Sequence, residues 1–239
     1  MITKNSNVNP LITFFLSEII VVPLALGIWK YRRMERSFRP FVILLMAAVL
    51  AEFSSFTFYI RLGIANADVF RVYSLIESIL VLMLFHGWGF LKDRKRLFYL
   101  LLAACFLAWL PESILYFGTP VFSPFFTIFY SFIIVLVSIN QINQIIITNT
   151  DRTLFKNSKF LICIGFVIYF IYQILYEASY FVSDQTNSSY ALTTGIIGFF
   201  SYINFFVNLL YIPAVYFIPK EGGLFFTKNS KFELNNRNE

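Results

Sequence analysis

The chain is 239 residues long, 58% hydrophobic and 20% aromatic but only 13% charged, against the ~25% charged content of a soluble globular domain. That balance excludes a cytosolic enzyme and a disordered binder. The net charge of +6 sits in short loops between apolar stretches and not on a basic face, which excludes a nucleic-acid partner. What remains is an all-α integral membrane protein: a seven-transmembrane helix bundle forming one domain over 1–218, then a short polar tail over 219–239 expected to be flexible.

A spanning helix needs about 20 predominantly apolar residues. In chain order such stretches fall near 10–29, 40–60, 70–90, 97–117, 121–147, 159–182 and 189–218, seven in all. The first resembles a signal peptide only superficially. Its apolar run is too long, no small-residue cleavage site follows, and Lys30-Tyr31-Arg32-Arg33 closes it as a stop-transfer sequence does. Aromatic residues near the boundaries, among them Trp29, Tyr73, Trp88 and Tyr116, fit interfacial belts.

Orientation follows from the Lys and Arg count, because positively charged loops are retained in the cytoplasm. The first, third and fifth loops and the tail hold sixteen of the nineteen basic residues; the other side holds Lys4, Arg61 and Arg71. The N-terminus is therefore expected outside and the C-terminus inside, in the inner (cytoplasmic) membrane. Membrane lipids are the first expected partners, and the basic loops face their headgroups.

The acidic residues carry the strongest chemical signal. All four Asp lie in loops, whereas Glu18, Glu52, Glu77, Glu112 and Glu177 lie within expected spans. An ionisable group at that depth costs on the order of several kcal/mol and by default marks function. At ~1.5 Å rise per residue these five lie roughly 8 to 12 Å below the outer boundary. No Lys or Arg lies deep in any span, and only Arg61 and Arg71 reach inward from the outer edge. Some of the carboxyl groups must then be protonated, bind a cation or face water. The competing view makes each one glue that hydrogen-bonds a neighbouring helix.

Helical spacing places polar neighbours beside these carboxyls: Ser55 and Tyr59 with Glu52, Tyr73 and Ser74 or Ser78 with Glu77, and Tyr169, Gln173, Tyr176 and Tyr180 with Glu177. The seventh span adds Ser201, Asn204, Asn208 and Tyr211. One inward polar stripe per helix is what a bundle lining a pocket requires, although interhelical hydrogen bonding alone gives the same pattern. The expected ligand or ion pocket comprises Glu18, Glu52, Glu77, Glu112, Glu177, Tyr73, Asn204 and Asn208. Pro23, Pro111 and Pro213 lie inside spans and each frees the carbonyl four residues earlier.

Absences narrow the field. Cys105 and Cys163 both sit in apolar stretches and read as small core residues. No HExxH, Walker loop or GxGxxG occurs, so no catalytic residues, cofactor or resident metal are expected.

Ala51-Glu52-Phe53-Ser54-Ser55 and Tyr73-Ser74-Leu75-Ile76-Glu77, with seven spans and an outside N-terminus, resemble a group of small, uncharacterised seven-helix membrane proteins of Bacteroidota. The resemblance implies genes that often lie beside histidine-kinase genes, and hence a sensory or accessory role. Three functions stay open at this point. The first is a receptor-like or accessory protein whose outward acidic pocket takes a cation, a proton or a small molecule and which signals through a separate cytoplasmic or membrane partner. The second is a small proton- or cation-coupled transporter or channel, and the third an intramembrane enzyme acting on lipid.

Overall fold

The structure is a computed structural model that describes residues 18–62, 67–89, 91, 95–116, 124–148, 154–185 and 190–221. Among them are seven helices: α1 (Val21–Lys30), α2 (Arg39–Leu62), α3 (Ala67–Gly87), α4 (Lys95–Tyr116), α5 (Phe125–Thr148), α6 (Ser158–Gln185) and α7 (Tyr190–Tyr216). Six of them, α2 to α7, are long and apolar enough to cross a membrane, which makes this a multi-pass membrane protein. A helix satisfies every backbone donor and acceptor within the segment, as lipid demands. The expected first span lies partly outside the described residues; from Glu18 onward it is a 3-10 turn, Glu18–Ile20, leading into α1.

Local chemistry sets the helix ends. The Asn157 side-chain oxygen accepts from the backbone N–H groups of Lys159 and Phe160 at 3.0 and 3.3 Å, capping α6. Past the end of α3 the chain turns through Gly89 at φ +98°, a conformation glycine alone adopts without steric cost. Pro111 and Pro213 fall inside α4 and α7 as the sequence predicts. Pro23 differs: it is the third residue of α1, where the missing N–H is one that a first helical turn leaves unpaired anyway.

Each helix packs on the next, and α7 packs on α1, so the bundle closes into a ring. Contact between α3 and α5 sets α4 back from the centre. One stripe of α4 is consequently exposed, with Leu100, Leu107 and Ile114 62%, 65% and 70% exposed. Short connections force neighbouring helices antiparallel, which collects the basic loops at one end. Lys30 Nζ donates to the Tyr216 carbonyl at 2.5 Å, and Lys159 lies 6.0 Å over the Trp88 ring, both at that end.

The start of the polar tail is ordered against the first basic loop. Glu35 N–H donates to the Pro219 carbonyl at 3.0 Å and Glu221 N–H to the Arg33 carbonyl at 2.8 Å. Arg36 and Arg39 reach the Glu221 carboxylate at 2.6 and 3.3 Å. These ion pairs are exposed, so the backbone pairing carries the contact. Glu221→Ala should therefore lower stability by no more than about 1 kcal/mol, as read from thermal melts of the detergent-solubilised protein.

Candidate functional site

A cavity of about 590 Å³ lies among α2, α3, α5, α6 and α7. Five helices supply its wall, each presenting inward residues to it. Its described lining holds three carboxyl groups, Glu52, Glu77 and Glu177, and no Lys, Arg or His. Arg71, which the sequence left as a candidate counter-ion, pairs with Asp68 on its own helix and lies off the lining. The Arg61 side chain lies outside the described residues.

Glu77 is the best held of the three. It is 5% exposed. Tyr73, one turn earlier on α3, donates its hydroxyl to Glu77 Oε1 at 2.9 Å, and Tyr130 from α5 donates to Oε2 at 2.5 Å. Both carboxyl oxygens are thus occupied by phenols from two helices, an arrangement that locks α3 to α5 and lets the group accept two hydrogen bonds with no cation beside it.

The α6 and α7 walls are satisfied less fully. Gln173 donates its amide to Glu177 Oε1 at 2.9 Å, and Asn208 donates to Asn204 Oδ1 at 3.0 Å. Glu177 is 1% exposed, yet among the described residues its Oε2 has no hydrogen-bond partner, and neither does Gln173 Oε1. Glu52 stands on the α2 wall. A buried polar atom left unpaired costs roughly 1–3 kcal/mol.

Aromatic side chains complete the wall. Tyr169, Tyr176 and Phe200 line one side, with Phe200 centred 5.7 Å from Tyr169 and 4.8 Å from Tyr176. Toward the basic end a packed layer closes the space. Tyr211 lies 5.1 Å from Phe41 and 6.2 Å from Phe166, and Phe85 lies 6.2 Å from Phe166. Phe41 and Phe85 are fully buried, so this layer is a floor.

Of the residues singled out by sequence, Glu52, Tyr73, Glu77, Glu177, Asn204 and Asn208 all line the cavity. Glu18 lies beside that group: it is close enough to Glu52 for their charges to interact, and its near neighbour Ile20 lines the cavity. Glu112 likewise lies off the lining but close enough to Glu177 for their charges to interact. Being on the set-back α4, it accepts from the Phe126 backbone N–H at 2.7 Å and so holds the first turn of α5. The side chains of Tyr59 and Tyr180 lie outside the described residues. Sequence reasoning missed Tyr130, Thr127 and the Phe166 and Phe200 rings. Among the described residues no group of three or more His, Cys, Asp and Glu is arranged to hold a metal ion. No protein-family model matches this chain, nor does any curated protein or solved structure.

Proposed function

We propose that the chain is a receptor-like or accessory protein of the cytoplasmic membrane, with seven spans, its N-terminus outside and its C-terminus in the cytoplasm. In this reading an outward-facing acidic pocket takes a cation, a proton or a small cationic molecule, and the helices relay occupancy to a separate partner. The sixteen basic residues that fall in alternate loops and the tail support the orientation. The observation that carries the function is the form of the cavity. Three carboxyl groups line it without a cation, and the layer of Phe41, Phe85, Phe166 and Tyr211 closes it toward the basic end. A pocket with one closed end suits binding and relay. A proton- or cation-coupled transporter, the runner-up, requires those packed rings to part in every cycle.

Cysteine chemistry tests the orientation and the pocket together. Cys105 and Cys163 are buried and give little background. Cysteines placed at Asn66 or Ser188 should react with a membrane-impermeant thiol reagent from outside, and those at Arg36 or Lys95 from inside. Ser201→Cys, on the cavity wall, should react with a cationic methanethiosulfonate from outside only, and adding Glu52→Gln should slow it several-fold. Labelling of Ser201→Cys from the cytoplasmic face alone would overturn the reading. Uptake of a cation into proteoliposomes, abolished by Glu77→Gln, would replace it with transport.

A further inference from the structure

Resting on the pocket reading above, we infer that the occupant of the cavity is a small organic amine bound as its ammonium form: an N–H-bearing cationic head on an apolar body. Three independent properties of the wall select this class.

The first is size. A cavity of about 590 Å³ falls in the range that holds small organic ligands, ~300–1,000 Å³. A hard cation such as calcium needs about 6–8 oxygen ligands drawn close around it. Glu52, Glu77 and Glu177 come from three different helices and do not gather into such a set. An inorganic ion would leave most of the space unfilled.

The second is the charge of the lining. Glu77 accepts a hydrogen bond from each of its two neighbouring phenols. The described lining holds three carboxyl groups and no Lys, Arg or His. Its complement therefore carries positive charge and N–H groups that carboxyl oxygens can accept. A protonated primary amine brings three donors. A quaternary ammonium brings charge alone, and an anion or a phosphate has no basic residue to meet.

The third is the aromatic side of the cavity. Tyr169, Tyr176 and Phe200 form a contiguous ring cluster on the wall. Ring faces attract cations electrostatically and pack against an apolar body. Carboxyl groups and rings share one cavity, which is the combination an arylalkyl ammonium requires.

The chemistry has two sources, a free amine or the amine headgroup of a phosphatidylethanolamine. Melting curves of the purified full chain, with phenethylammonium chloride as probe, separate these and test the class. A molecule that binds only the folded state raises the melting temperature in proportion to the logarithm of its concentration. Phenethylammonium at millimolar concentration should raise it by several degrees, tetramethylammonium by less, and the neutral isostere 2-phenylethanol not at all. Glu52→Gln should weaken the apparent affinity for phenethylammonium at least tenfold, whereas Glu221→Gln at the far end should leave it unchanged. If the shift persists in phosphatidylglycerol nanodiscs but vanishes in phosphatidylethanolamine ones, the class stands and the lipid headgroup is the source; persistence in both makes a free amine the source. An equal shift from 2-phenylethanol would overturn the ammonium class. A shift from calcium chloride that Glu52→Gln removes, with none from any amine, would also overturn the class while leaving the acidic pocket standing. Indifference of both wild type and Glu52→Gln to every probe would sink the pocket reading as well.

Discussion

Glu77→Leu should destabilise the solubilised bundle by about 1–3 kcal/mol, read as a loss of unfolding free energy in denaturant or as a lower melting temperature. The leucine leaves the hydroxyls of Tyr73 and Tyr130 without the carboxyl oxygens they now meet at 2.9 and 2.5 Å. It also removes the tie between α3 and α5. The range is set by two competing magnitudes: an unpaired buried hydroxyl costs roughly 1–3 kcal/mol in soluble proteins, but measured hydrogen bonds between membrane helices average nearer ~0.6 kcal/mol, because the unfolded chain in the membrane finds other partners. Glu77→Gln keeps an acceptor and should lose clearly less. A double-mutant cycle with Tyr130→Phe isolates the pair. If the two substitutions add without interaction, the contact is not what holds α3 on α5.

Gly165→Ala should cost a comparable amount for a different reason. A methyl group at Gly165 would overlap the Tyr211 ring. That ring is itself wedged, centred 5.1 Å from Phe41 and 6.2 Å from Phe166, so it cannot swing aside without disturbing the floor of the cavity. Overpacking of a filled core costs roughly 1–3 kcal/mol, whereas replacing glycine by alanine in a helix gains about 1 kcal/mol of propensity. Overlap with a wedged ring outweighs the gain, and the net change should be destabilising. Since Tyr211 also lines the cavity, reactivity of Ser201→Cys should change in the same variant. A stabilised Gly165→Ala protein would show that the ring moves freely and that the floor is softer than its packing implies.

The six apolar helices were legible because lipid imposes one simple rule on them: long apolar runs with every backbone group paired inside the segment. Their ends were less so. The fifth span begins at Phe125 instead of 121, since hydropathy ignores capping contacts such as that of Glu112 with the Phe126 N–H, and the sixth helix runs on to Gln185. For the site, period alone could align Gln173 with Glu177 and Asn204 with Asn208, because both pairs lie one helical turn apart. It could not say which stripes meet. Tyr130 sits in an apolar helix with no acidic neighbour in sequence, so its partnership with Glu77, 53 residues away, depends wholly on how α3 and α5 pack. The same ignorance hid the place of Glu112: its depth matched that of the other Glu residues, but the contact between α3 and α5 sets its helix back. The ordered start of the tail was hidden too, because backbone pairing between Arg33 to Glu35 and Pro219 to Glu221 leaves no side-chain pattern to read.

The set-back position of α4 bears on how the sequence can drift over generations. Leu100, Leu107 and Ile114 face outward, and lipid tails do not distinguish one branched hydrocarbon from another. Selection can register only the summed hydropathy of that stripe, so its letters are nearly interchangeable. On the opposite side, Trp109 donates its indole N–H to the Arg71 carbonyl at 2.9 Å and Glu112 accepts from Phe126 at 2.7 Å. Each meets a backbone group of a neighbouring helix with a polar atom that an aliphatic side chain lacks. A lineage can therefore rewrite the outward stripe of this helix while its inward residues stay constrained, and the helix will look least related where it is under the least constraint.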